Sequence, residues 1–107
     1  MASYASNILF SIDTALQMKG GLNAETITVN KTLTYKDSTY QALKNVTGGL
    51  DVILPEPKSG CSFWVKSRAS SSSNITVKDH AGNPIKVLAA GDSVFVACDI
   101  AAWYDLA

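Results

Sequence analysis

Short runs of alternating apolar and polar residues, separated by turn signals at intervals of roughly 8–12 residues, fill the chain after residue 22. In residues 26–29 and 61–66, apolar side chains recur at every second position. This spacing places successive side chains on opposite faces of a β-strand. Clusters rich in proline, glycine, asparagine and aspartate at 55–57 and 79–84 end such runs. The pattern predicts an all-β domain, either a small antiparallel sandwich or a partly closed barrel of about eight strands.

The first 22 residues follow a different pattern and end at a pair of glycines, Gly20 and Gly21. Consecutive glycines give the backbone a flexible joint that suits the interior of a sheet poorly. We therefore divide the chain into an N-terminal arm, residues 1–22, and a β module, residues 23–107, which we expect to fold without the arm. The apolar side chains of the arm need cover, and we expect another chain to bind them; the alternative is that the arm packs on its own module. These residues are Ile8, Leu9, Phe10, Ile12, Leu16 and Met18.

The charge balance limits the partners that such a chain can bind. Nine basic and nine acidic residues give a formal net charge of zero, and charged residues make up 17% of the chain. A neutral chain lacks the basic surface that nucleic acids require. No apolar run approaches the roughly 20 residues of a membrane-spanning helix. We therefore expect neither a nucleic acid nor a membrane as partner, and we expect a homo-oligomer, most simply a trimer, because self-repulsion is weak.

The residues that usually carry catalysis or bind metals are scattered. The single histidine, His80, lies in a turn cluster, and Cys61 and Cys98 are 37 positions apart. These do not form a catalytic triad or the ligand spacing of a zinc site. The sequence therefore favours a protein that is not an enzyme and needs no cofactor or metal. We interpret the two cysteines as buried free thiols that react slowly, with a cross-strand disulfide as the alternative.

One predicted strand, residues 61–68, carries polar and aromatic side chains on a single face. Trp64, Lys66 and Arg68 share that face, which suits a subunit interface because Trp and Arg are enriched there. The alternative is that this face stacks a sugar or a base. The serine-rich residues 69–74 contain too few apolar side chains to pack, and we expect a flexible loop there.

Five segments of the C-terminal half follow one another in a recognisable order. They are VILP (52–55), FWVKS (63–67), NITVKDHAG (74–82), IKVLAAGDSVFV (85–96) and WYDL (103–106). In this order they resemble small β modules of tailed-bacteriophage virion proteins. The resemblance covers residues 24–107 and is to capsid decoration (cement) proteins and head-fibre bases.

This resemblance implies a structural protein, often a trimer, that binds the major capsid protein on the outer surface of the capsid and joins neighbouring capsomers. It also implies a terminal arm that reaches the shell. Synthesis in the host cytoplasm is expected separately, because residues 8–12 are too short for a signal-peptide core and follow no basic segment. The alternative is a carbohydrate- or receptor-binding module of a phage fibre or tail, in which Trp64, Trp103 and Tyr104 would form an exposed aromatic platform.

Overall fold

The computed structural model describes residues 21–58 and 60–106. This part of the chain contains nine strands and no helix, so the prediction of an all-β fold is confirmed. Within it there is accordingly no helix long and apolar enough to span a membrane. The strands are β1 (Leu22–Ile27), β2 (Lys31–Thr32), β3 (Tyr40–Asn45), β4 (Leu50–Ile53), β5 (Ser62–Ser67), β6 (Ile75–Lys78), β7 (Pro84–Leu88), β8 (Ser93–Cys98) and β9 (Trp103–Asp105).

The strands form two sheets, one of five strands in the order β1-β3-β5-β8-β9 and one of four in the order β2-β4-β6-β7. The chain crosses to the other sheet after each of the first five strands. It therefore returns to each sheet in its earlier direction, and β1–β3, β3–β5, β2–β4 and β4–β6 pair in parallel. The other three pairs are antiparallel. A sandwich is confirmed, but the prediction that all strands pair antiparallel is wrong, because the chain alternates between sheets before it forms hairpins.

The core lies between the two sheets and consists of the side chains that point inward from each. Leu43, Val65 and Val96 come from the five-stranded sheet, and Val52 and Val77 from the four-stranded sheet; none exposes a measurable fraction of its surface. Burying a side chain of this kind contributes about 1.5–3 kcal/mol. Alternation along the strands thus supplies the core, as the sequence predicts.

The prediction fails at Val29, which the alternation of residues 26–29 places inside. β1 ends at Ile27, which is buried, and Val29 lies in the following bend with 70% of its surface exposed. The alternation outlasts the strand, because the chain must leave the five-stranded sheet here to reach β2.

The serine-rich segment 69–74 is held by hydrogen bonds, contrary to the prediction of a flexible loop. Asn45, fully buried at the end of β3, donates from Nδ2 to the carbonyl oxygens of Gly48 (2.6 Å) and Asn74 (2.8 Å). The hydroxyl of Ser71, itself buried, accepts from the Asn45 amide at 3.0 Å. Hydrogen bonds therefore hold this segment against the end of β3, whereas apolar packing holds the strands together in the core.

The first strand begins at Leu22, the last residue that the sequence assigns to the arm. The arm residues expected to bind another chain lie outside the described residues. They are Ile8, Leu9, Phe10, Ile12, Leu16 and Met18.

Candidate functional site

A row of large apolar side chains crosses the outer face of the five-stranded sheet. Strand register places Leu22 opposite Tyr40, Tyr40 opposite Trp64, and Trp64 opposite Phe95. The β8–β9 pairing continues past Asp105, where the amide of Leu106 donates to the carbonyl of Phe95 at 2.9 Å. Strands β1, β3, β5 and β8 and the residue after β9 thus each contribute one side chain to what we call the apolar row: Leu22, Tyr40, Trp64, Phe95 and Leu106.

Strand alternation explains why the row faces away from the core. In β3 and β5 the odd-numbered residues, such as Leu43 and Val65, are buried, so Tyr40 and Trp64 point outward. The aromatic rings contact one another across the strands. Tyr40 and Trp64 are stacked with centroids 5.8 Å apart, and Phe95 packs against Trp64 at 5.5 Å with an interplanar angle of 46°. Such pairs contribute about 0.5–1.5 kcal/mol beyond the area that they bury, so they hold Trp64 in a fixed position.

Much of this surface remains in contact with water. Leu22 exposes 61% of its surface, Trp64 39% and Leu106 59%, and Tyr104, next to the row on β9, exposes 48%. Complete burial of a large apolar side chain is worth about 1.5–3 kcal/mol, so covering the exposed part of each contributes about 1 kcal/mol. A partner that covers all four gains about 4 kcal/mol, or roughly a thousandfold in affinity.

The charged side chains on this face are all basic. Lys66 occupies the neighbouring row, opposite Ala42 and Ser93, and its Nζ donates to the carbonyl of Gly91 at 3.2 Å. Lys44 points outward from β3, whereas the outward positions of the five strands carry no carboxylate. Arg68 is exposed just beyond the end of β5. A partner surface that covers the apolar row lies next to these cations. It should therefore be neutral or acidic, because a basic surface would be repelled.

The outer face of the four-stranded sheet differs in character. Asp51 and Lys78 form an ion pair there, with 2.9 Å between Oδ2 and Nζ. Thr76 lies opposite Val87, which is the exposed large apolar side chain of this face. An isolated apolar residue among polar ones is usual on a protein surface, but a continuous row is not. The contrast makes the outer face of the five-stranded sheet the candidate binding face.

The structure places two of the predicted site residues, Trp64 and Lys66, on this face, with Arg68 beside it. Trp103 points the other way: it is buried, its Nε1 donates to the carbonyl of Pro55 at 2.8 Å, and its ring packs against Phe63. The expected platform of Trp64, Trp103 and Tyr104 is therefore wrong, because adjacent residues of one strand, 103 and 104, point to opposite faces.

Sequence reasoning missed four members of the row, Leu22, Tyr40, Phe95 and Leu106. The sequence does contain a signal for Phe95. Residues 93–98 carry apolar side chains on both faces of the strand, so an apolar side chain is expected on the outer face as well as on the inner one. Leu22 and Leu106 gave no signal of their own, because only strand register aligns them with Trp64.

Tyr104 is held at the border of this face by a polar contact. Its hydroxyl donates to Asp99 Oδ2 at 3.2 Å, and the negative charge of Asp99 raises the pKa of Tyr104. The backbone amides of Ala101 and Ala102 both donate to Asp99 Oδ1, and these bonds lower the pKa of Asp99. The phenol therefore presents its ring to the surface as a neutral group.

The described residues contain no group of three or more His, Cys, Asp or Glu side chains placed to hold a metal ion. The outer face offers aromatic rings, aliphatic side chains and cations, which are the components of a binding surface. No protein-family model, curated protein or solved structure matches the chain.

Proposed function

We propose that the protein is a structural virion protein of a tailed bacteriophage that binds the outer surface of the capsid and joins neighbouring capsomers. The observation that carries the proposal is the apolar row, which leaves a continuous hydrophobic surface on a sandwich whose core is already closed. The resemblance of residues 24–107 to capsid decoration modules supports the proposal that this surface acts on the outside of a capsid. A protein of that kind acts by binding alone, in many copies.

In this proposal the apolar row is the contact between copies of the chain, which form a trimer. The chain carries no net charge, so its copies do not repel one another at long range. In a cyclic trimer each copy uses two different surfaces, so Lys44 and Lys66 beside the row do not have to face themselves. The part of the arm that precedes Leu22 then binds the major capsid protein, because Leu22 itself belongs to the apolar row. Three linked arms bind a lattice roughly 10²–10⁴ times more tightly than one.

The second candidate is a carbohydrate- or receptor-binding module, which the exposure of Trp64 favours. A sugar stacks on a free ring face, but Tyr40 already stacks against the Trp64 indole. Titration with oligosaccharides separates the two functions, because Trp64 is the exposed one of the two tryptophans. Fluorescence quenching that disappears in Trp64→Phe would support the sugar-binding module, and unchanged fluorescence supports the structural role.

Co-sedimentation with tailed-phage capsids assembled without their decoration protein tests the proposal. We expect the full chain to sediment with a matching capsid. A chain that lacks residues 2–20 keeps β1 and should remain folded by thermal unfolding but lose binding. Failure of the full chain to bind any such capsid would contradict the proposed function. Undiminished binding by the folded truncated chain would contradict the role of the arm in binding the capsid.

A matched pair of variants separates the apolar row from general surface hydrophobicity. Leu22→Ser combined with Leu106→Ser removes two exposed members of the row and should weaken capsid binding through loss of the trimer. Val87→Ser removes an equally exposed apolar side chain from the opposite sheet and should leave binding unchanged. Equal losses in both variants would show that the row has no special role.

A further inference from the structure

The two cysteines lie directly opposite each other across β5 and β8. Ser62 pairs with Ala97, and one position further the amide of Cys98 donates to the carbonyl of Cys61 at 3.0 Å. Cys61 shares its face with Phe63, and Cys98 shares its face with Val96; both of these neighbours are buried. The two thiols therefore point to the same, inner side of the sheet. Opposed residues of this type have Cα atoms about 5.5 Å apart, which lies within the span of a disulfide.

Both cysteines donate a hydrogen bond to the same backbone carbonyl oxygen. The carbonyl of Lys58 accepts a hydrogen bond from Cys98 Sγ at 2.7 Å and from the Cys61 amide at 3.3 Å. Tyr35 lies close to both cysteines as well: burial, followed by the charges of Cys98 and Cys61, raises the pKa of Tyr35 to about 12. Both sulfur atoms thus lie near one phenol, and they are the free thiols of the chain.

The two thiols differ in access to solvent. Cys61 is partly exposed and lines a surface cavity of about 190 Å³, together with Tyr35, Gly60 and Phe63. Cys98 is buried, with 8% of its surface exposed. The prediction of two buried thiols thus holds for Cys98 and is wrong for Cys61, because Cys61 lies just before the first residue of β5 and is partly exposed there.

We propose that Cys61 and Cys98 form a reactive dithiol that small-molecule disulfides oxidise to an intramolecular cross-strand disulfide. The Cys61 thiolate attacks one sulfur of the reagent, forms a mixed disulfide and releases one thiolate. The Cys98 thiolate then attacks the Cys61 sulfur, closes the protein disulfide and releases the second thiolate. The two protein thiol protons pass to the two released thiolates, and the two electrons given up by the protein reduce the reagent's disulfide bond. Closure removes the hydrogen bond from Cys98 to Lys58.

Treatment of the reduced full chain with oxidised glutathione tests this proposal. We expect the intact mass to fall by two hydrogens, and a non-reducing peptide map to contain a Cys61–Cys98 cross-link. Oxidation that requires urea, or disulfides that join two chains instead, would overturn it. This measurement needs no substituted protein and does not depend on capsid binding.

Two single variants test the order of the steps. Cys98→Ala keeps the accessible thiol and should accumulate a stable mixed disulfide with one glutathionyl group at Cys61. Cys61→Ala keeps the buried thiol and should remain unmodified over the same period. Thermal unfolding confirms that each variant is folded before treatment. Modification of folded Cys61→Ala as fast as folded Cys98→Ala would overturn the assignment of Cys61 as the thiol attacked first.

Discussion

Replacement of Asn45 by alanine should destabilise the protein more than its polar character suggests. Its side chain is fully buried and makes four hydrogen bonds. Two are donated to the carbonyls of Gly48 and Asn74, and two are accepted from the amide and hydroxyl of Thr47. The Asn45 carbonyl also accepts from the amides of Ser72 and Ser73, so the end of β3 and segment 69–74 form one hydrogen-bonded unit.

The magnitude follows from the bonds that alanine cannot make. Each of the two donated bonds contributes about 1 kcal/mol net. Water can replace the two bonds to Thr47, which is exposed. We therefore expect Asn45→Ala to lower the free energy of unfolding by about 2 kcal/mol. In a domain of this size that corresponds to a Tm lower by roughly 8–16 °C.

Urea denaturation of Asn45→Ala, compared with Asn30→Ala, checks this value. Asn30 is exposed, and its side-chain oxygen accepts one hydrogen bond, from the amide of Asp51 at 2.9 Å. Asn30→Ala should cost less than about 1 kcal/mol. If the two substitutions cost the same, Asn45 does not hold segment 69–74 and the reasoning is refuted.

Three further predictions concern single side chains. Trp103→Phe should lower the free energy of unfolding by about 1 kcal/mol in urea titrations, because the bond to Pro55 is lost while the ring remains; no loss would contradict that role. The hydrogen bond from Lys31 lowers the pKa of Glu25 below its usual 4.5, so its stabilising effect is present above that pH and is lost as the pH falls through the folded-state pKa. The advantage of wild type over Glu25→Gln in Tm should therefore be present at pH 7 and vanish in acid; a pH-independent difference would refute it. Val29→Ser should change the free energy of unfolding by less than about 0.5 kcal/mol, since Val29 is exposed. A larger loss would indicate that Val29 is buried in the core after all.

The sequence predicts the strands of this fold better than their pairing. Alternation identifies residues such as Phe63 and Val65 as inward-facing, because side-chain direction is a local property of a strand. Pairing depends on where the chain goes between strands. The chain crosses between the two sheets, and these crossings make β1, β3 and β5 parallel neighbours. The alternation of apolar and polar residues within a strand contains no information about them. The hydrogen bonds of segment 69–74 cannot be predicted from its own residues for a related reason, since they come from Asn45, which is distant in sequence.

The same distinction applies to the binding face. Trp64 and Lys66 are recognisable from one strand, as both follow the outward period of β5. Leu22 lies on β1 and Leu106 directly after β9, at opposite edges of the sheet, and only the register of five strands brings them into line with Trp64. Trp103 illustrates the opposite error, because the alternative function places it on an exposed platform with Trp64 and Tyr104, whereas it packs inside.

The mass of the protein in solution is the most direct test of the central claim that the apolar row joins copies of this chain. Sedimentation equilibrium at tens of micromolar should give a trimer of about 34 kDa, three chains of 11.3 kDa each. Leu22→Ser combined with Leu106→Ser removes about 2 kcal/mol of contact and should weaken association roughly 30-fold, whereas Val87→Ser should not. An 11.3 kDa monomer for the wild-type chain under these conditions, or a trimer that the double substitution leaves intact, would contradict the account.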